Sequence, residues 1–338
     1  MIEIGYKLCS EEQEPGELVR YAQRAEEAGF TFAMISDHYH PWTDAQGQSS
    51  FVWAVLGAIS QSTTRLRLAT GVTCPTIRIH PAIIAQAAAT VAAMMPGRFM
   101  LGLGSGENLN EHILGDRWPP ADVRHEMLEE AIEIIRLLWQ GEEQSYYGDY
   151  YTVENARLYT LPKELPPVLI AGKGSKAALL AGRMGDGFIG TSPKAEIIQK
   201  FKKAGGDGPC FGEVSVCWAN KEAEARRIAY ECWPNAAIEG ELTQELRVPA
   251  HFEQTTKMVT EEDVAREIVC GPDPERHVAA IKKYSDAGYD HVWIHQAGPD
   301  QKGFFEFYED EVLPMLAREG LIERSRGKSA KKTASGKK

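Results

Sequence analysis

Residues 26–42 read Glu26-Glu27-Ala28-Gly29-Phe30, then Thr31-Phe32-Ala33-Met34-Ile35, then Ser36-Asp37-His38-Tyr39-His40-Pro41-Trp42. The three pieces differ in kind. The first is the end of an amphipathic helix closed by a glycine, the residue that most readily takes the left-handed conformation at a helix C-terminus. The second is a short apolar run of strand type. The third is a polar loop dense in groups that handle protons. The same grammar returns at Ser285-Asp286-Ala287-Gly288-Tyr289, again directly before an apolar run. Both stretches read as corners between a helix and the strand that follows it.

Working outward, strand-like runs fall at 2–8, 31–35, 66–71, 99–104, 168–171, 187–191, 214–218 and 291–295. Helical stretches lie between them at 15–28, 81–95, 124–139, 175–184, 221–232 and 274–287. Alternation of this kind calls for a parallel sheet wrapped by helices. Eight units exceed what an open doubly wound sheet usually holds, so the expected fold is an α/β, (β/α)8 TIM barrel, a single domain over 1–320. Two connections break the rhythm. Residues 141–161, with the hairpin-like core YYGDYY, and 234–260, with Pro234 and Pro249, are expected to be insertions at the C-terminal face of the strands. Residues 324–338 carry seven of the chain's positive charges and no acid, and read as a basic, disordered tail.

Composition narrows the function. The 338 residues are 43% hydrophobic, enough for a large core, and 37 Lys plus Arg against 48 Asp plus Glu give a net charge of −11. A net acid balance argues against non-specific nucleic-acid binding and against an anionic membrane surface. No stretch approaches the roughly 20 apolar residues of a membrane span, and the start MIEIGYKL lacks the layout of a signal peptide. The six cysteines form no CxxC pair and sit at no zinc-ligand spacing, so reduced thiols, no metal and a cytoplasmic location are expected.

In a barrel, chemistry sits just past the C-terminal end of each strand. The loop 36–42 offers an acid, two imidazoles and an indole; a histidine, with an ordinary pKa of about 6.5, suits proton acceptance near neutrality. The third strand leads into Gly71-Val72-Thr73-Cys74, small enough for a flat ring to approach the backbone. The fourth leads into Gly102-Leu103-Gly104-Ser105-Gly106-Glu107, which lacks the full dinucleotide spacing but places Glu107 at the mouth, across about a barrel radius from the 37–38 loop. The fifth leads into Ala171-Gly172-Lys173-Gly174 at a helix start, where free amides suit a phosphate. The sixth leads to Lys194. A nucleophile elbow is missing, and what remains is oxidoreduction on a bound ring cofactor.

Pro96-Gly97-Arg98-Phe99-Met100-Leu101-Gly102-Leu103-Gly104-Ser105-Gly106 and Ala181-Gly182-Arg183-Met184-Gly185-Asp186-Gly187-Phe188 carry a family likeness. The chain resembles the luciferase-like flavin and deazaflavin oxidoreductases, and within them the coenzyme F420-dependent glucose-6-phosphate dehydrogenase group. Gly5-Tyr6-Lys7, Ser36-Asp37-His38 with Pro41-Trp42, Ile84-Ala85-Gln86, Gly106 to Glu111 and Gly148-Asp149-Tyr150-Tyr151 add to it. The resemblance implies hydride transfer from an alcohol or hemiacetal carbon to C5 of the deazaflavin. It makes His38 the general base, Glu107 the proton donor to the ring and Trp42 the residue that orients substrate. It implies that Asp37, Gly71, Val72, Cys74, Ser105, Gly106, Ala171, Gly172 and Gly174 line the cofactor, with a non-proline cis peptide at Gly71–Val72. It also implies a homodimer acting on a small molecule.

The substrate end departs from that group's pattern. Lys194 matches its phosphate-binding lysine, but 242–259 holds no Lys-His pair, leaving Arg247 and His251 as loose matches, and Glu267 stands where an arginine is aligned. Charge-assisted bonds contribute about 1.5–3 kcal/mol each, so the expected substrate is an alcohol or sugar-type molecule other than glucose-6-phosphate. The alternatives are an FMN-dependent luciferase-like monooxygenase and a non-catalytic deazaflavin-binding protein.

Overall fold

The computed structural model describes residues 1–323; the basic tail expected from Arg324 lies outside them. The eight barrel strands are β1 (Glu3–Leu8), β2 (Phe32–Ile35), β3 (Arg67–Thr70), β4 (Phe99–Leu103), β5 (Val168–Ala171), β6 (Gly187–Gly190), β7 (Cys210–Cys217) and β8 (His291–Gln296). Each pairs in parallel with the next, and β8 pairs with β1, so the ring closes as a (β/α)8 barrel. A two-residue strand, Val269–Cys270, adds to the outer end of β7.

Side chains alternate across the ring. Phe32, Met34, Ala69, Met100, Leu169, Ile189, Phe211 and Trp293 fill the lumen, while the outward positions meet the helices in a much larger core. The lumen is not wholly apolar. Lys7 of β1 bonds Glu213 of β7 at 3.2 Å, and Trp293 donates to the same carboxylate at 3.0 Å. That inward-pointing acid is why β7 starts four residues earlier than the expected 214–218: a charge in mid-run masks the apolar alternation of Cys210–Cys217.

The corners behave as read. Helix Pro15–Ala28 ends at Gly29 with φ 97°, and helix Pro274–Ala287 ends at Gly288 with φ 98°. Helix Val52–Ser62 was not among the expected helices because its apolar residues run nearly all round it, hiding the helical period. Gln144–Tyr147 and Thr152–Ala156 form the antiparallel hairpin. It lies along helix Ala121–Leu138, with Tyr146 on Glu133 and Tyr150 on Glu126, and Tyr151 reaches the Thr76 carbonyl beyond β3. The 234–260 connection holds helix Pro249–Thr256, whose Phe252 meets Trp42 ring to ring at 5.2 Å.

Candidate active site

The loop after β2 carries His38 almost buried at the mouth, its ring 5.0 Å from that of Trp42. The His40 carbonyl lies 3.2 Å from Nδ1 and can only accept, so Nδ1 donates there and Nε2 is left facing the mouth. Nε2 faces two carboxylates at the same distance, 3.6 Å from Glu11 and 3.6 Å from Glu107. Glu107 therefore lies beside His38, much nearer than a barrel radius. Asn110 draws the two loops together: its Oδ1 accepts from the amides of Tyr39 and His40, and its Nδ2 donates to Glu107 at 3.1 Å. Asn110 sits on a one-turn helix, Asn108–Glu111.

Glu11 was missed by sequence reasoning. It follows β1, where the same strand-end rule would have found it, but the run Cys9-Ser10-Glu11-Glu12 reads as the approach to a helix. Its carboxylate is buried and accepts from the Ser36 hydroxyl and, at 3.3 Å, from the Cys9 thiol. Burial is the largest influence and pushes its pKa up, yet the charges of His38 and Lys7 with the Ser36 hydroxyl together bring it down to about 2. A negative charge thus stands on the Nε2 side of His38.

Asp37 does something other than touch His38. Thr73 donates to one oxygen at 2.7 Å and Arg78 to the other at 2.9 Å, while the Arg78 amide donates to Glu111 at 2.7 Å. This buried clamp fixes the loop carrying Val72 and Cys74. The peptide between Gly71 and Val72 is cis. Cys74 packs under Gly106, which takes φ 82° and whose added Cβ would fall 2.5 Å from the Cys74 sulfur. Ser105 is half-buried beside it. Trp42 is held from the insertion side as well: its amide donates to Gln46, which in turn donates to the Cys232 carbonyl and Asn235.

Across the mouth, Ala171 and Gly172 end β5, and Gly174 opens helix Ser175–Met184 without a side-chain cap. The first-turn amides are left to an anion, and a Cβ on Gly174 would meet open space. Lys194 is exposed at the N-cap of helix Ala195–Lys203. Arg247 is exposed too, two residues past Glu245, whose carbonyl accepts from Asn108 beside Glu107. His251 is exposed on the next helix. Arg266 pairs with Asp263, and the Tyr284 hydroxyl donates to the Thr191 carbonyl three residues before Lys194.

All six cysteines are free. The donor atoms of Cys9, Glu12 and His295 lie within 4.8 Å of one another, next to Glu11.

A model of the family described as luciferase-like monooxygenase matches residues 2–291. The chain belongs to the luciferase-like family. It is 38% identical over 330 residues to an F420-dependent glucose-6-phosphate dehydrogenase 2 of Rhodococcus jostii, covering 93% of this chain and 98% of that protein. It is 37% identical over 334 residues to an F420-dependent glucose-6-phosphate dehydrogenase of Mycobacterium avium, covering 94% and 99%. Among solved structures, an F420-dependent secondary alcohol dehydrogenase in complex with an F420-acetone adduct superposes with a TM-score of 0.86 at 29% identity, covering 92% of this chain and 98% of that one.

Proposed function

We propose that this luciferase-like protein is a coenzyme F420-dependent dehydrogenase that oxidises the carbinol carbon of an alcohol or hemiacetal. The observation that carries the reading is Nε2 of His38, held at the mouth between Glu11 and Glu107 with Trp42 against its ring. The related F420-dependent dehydrogenases supply the cofactor class. The residues present fit that cofactor: the uncapped amides after Gly174, where an added Cβ would meet open space, suit its phosphodiester.

When bound, the deazaflavin supplies a two-electron acceptor for hydride. His38 takes the hydroxyl proton at Nε2, and the Glu11 carboxylate balances the charge that develops on the imidazole. Trp42 orients the alcohol against His38. Glu107, held by Asn110, is placed beside His38 as the proton donor to the ring. Asp37 positions the β3 loop through Thr73 and Arg78.

Lys194 and Arg247 offer two solvated cations near the mouth, and Glu267 puts a carboxylate rather than a third cation at the position aligned with an arginine. That balance favours an uncharged alcohol over a phosphate dianion. The protein acts as a cytoplasmic homodimer on this reading. Among the described residues no helix is long and apolar enough to cross a membrane.

Parallel fluorescence titrations with oxidised F420 and FMN, followed by anaerobic assays with secondary alcohols, glucose and glucose-6-phosphate, test the proposal. F420 binds, FMN does not, and unphosphorylated alcohols reduce F420 with the larger kcat/KM. A larger value for glucose-6-phosphate would return the substrate to the sugar phosphates. The matched family's description as a monooxygenase favours a second reading, reduced FMN reacting with oxygen, which oxygen uptake dependent on FMN would establish.

A further inference from the structure

Beside the His38 site, three side chains of different chemistry converge from the ends of β1 and β8. Donor atoms of Cys9, Glu12 and His295 all lie within 4.8 Å of one another. Cys9 and His295 are 0% and 1% exposed. Two buried atoms there, Glu12 Oε2 and His295 Nε2, have no hydrogen-bond partner, and they face each other at 3.7 Å. The remaining Glu12 oxygen is used, accepting from the Gly298 amide at 3.3 Å, so the orphan oxygen is the one aimed inward.

The other ring nitrogen of His295 is turned toward Ser215 Oγ at 3.5 Å and Glu213 at 3.8 Å, with Lys7 bonded to Glu213 behind it. A carboxylate behind the far nitrogen is the arrangement that orients a metal-ligating imidazole. The Trp233 ring closes the niche edge-on, 4.4 Å from that of His295. Glu12 retains some exposure, which gives a path in from solvent.

We propose that Cys9, Glu12 and His295 form a binding site for a divalent d-block cation, with Zn²⁺ as the type ion. A thiolate, an imidazole and one carboxylate match the preferences of zinc, whereas Mg²⁺ and Ca²⁺ require oxygen ligands. Bond lengths of about 2.0–2.3 Å require the three donors to draw in by about 1 Å. On binding, the Cys9 S–H bond breaks, a sulfur–metal bond forms and the proton leaves to the buffer; no electron is transferred. Cys9 then ceases to donate to Glu11, so the ion is coupled to the His38–Glu11 pair. That coupling rests on the function proposed above, whereas the binding does not.

The test is calorimetric titration of the full, chelator-stripped chain with Zn²⁺ in two buffers of different ionisation enthalpy, beside absorption titration with Co²⁺. One ion per chain, with proton release and a thiolate-to-cobalt charge-transfer band, is the expected result. Cys9→Ser abolishes the band, and Cys9→Ser and Glu12→Gln each weaken binding by about 10–100-fold. Ion-free melting curves of both variants establish that they are folded. Absence of stoichiometric binding overturns the proposal. So does binding that survives Cys9→Ser but is lost in His112→Ala, which would place the ion at the half-buried His40–His112 stack. Ion binding without F420 turnover would leave the site standing and remove the function reading.

Discussion

On the function proposed above His38 is the base, and its surroundings settle which nitrogen would take the proton. The His40 carbonyl occupies Nδ1, and Glu11 stands charged near Nε2. His38→Ala therefore lowers kcat by about 10²–10⁴-fold and leaves the F420 dissociation constant within a few-fold, as measured by steady-state kinetics and fluorescence titration. Glu11→Gln keeps the shape and removes the charge; kcat falls by about 10²-fold with KM little changed. His277 gives a second, independent residue-scale test. It is fully buried, its Nε2 donates to the Gly271 carbonyl and its Nδ1 accepts from Tyr308. Burial, the largest influence, holds its pKa down to about 4 from 6.5. Between those values the unfolded chain binds the proton and the folded chain does not. Its contribution is complete above pH 6.5, is lost as pH falls toward 4 by up to about 3 kcal/mol, and is flat below. Denaturant unfolding of His277→Gln across that range shows a shallower pH dependence than the natural chain.

At the scale of elements, the loops after β2, β3 and β4 are one unit, tied by Asp37–Arg78–Glu111 and by Asn110. Arg78→Met leaves the Asp37 and Glu111 carboxylates buried without their cation and costs about 3–5 kcal/mol in denaturant unfolding. Phe252→Ala acts differently: Trp42 loses its packing on the insertion side, so KM for the alcohol rises while F420 affinity holds. Much of this architecture is legible in the chain, since Gly29 and Gly288 mark corners and His38, Glu107 and Gly174 follow strands. What is not legible arises from contacts between distant segments. Glu11 reads as a helix approach until Ser36 and His38 surround it. Glu213 interrupts β7 until Lys7 neutralises it inside the barrel. The 3.6 Å approach of Glu107 to His38 depends on Asn110, whose local sequence carries no sign of that reach.

At the scale of the molecule, the closed ring explains why one end carries all of the chemistry. The lumen is packed with Phe32, Met34, Met100, Phe211 and Trp293, and the Glu3–Arg67 and Glu3–His291 pairs lie at the opposite, N-terminal end of the strands. The glycine-lined loops and the proton-handling residues all lie at the C-terminal end, on neighbouring strands. A barrel supports many chemistries through its loops, so fold alone does not select dehydrogenase over monooxygenase. On the function proposed above, the His38–Glu11–Trp42 arrangement favours the dehydrogenase, because it would serve a substrate that must lose a hydroxyl proton as hydride departs. Single-turnover reduction of F420 by a secondary alcohol under anaerobic conditions, followed for the natural chain and for His38→Ala, is the most direct measurement. F420 is reduced rapidly by the natural chain, more slowly when the carbinol hydrogen is deuterium, and about 10²–10⁴-fold more slowly by His38→Ala. Equal rates for the two proteins, or reduction only of FMN with uptake of oxygen, would contradict the account.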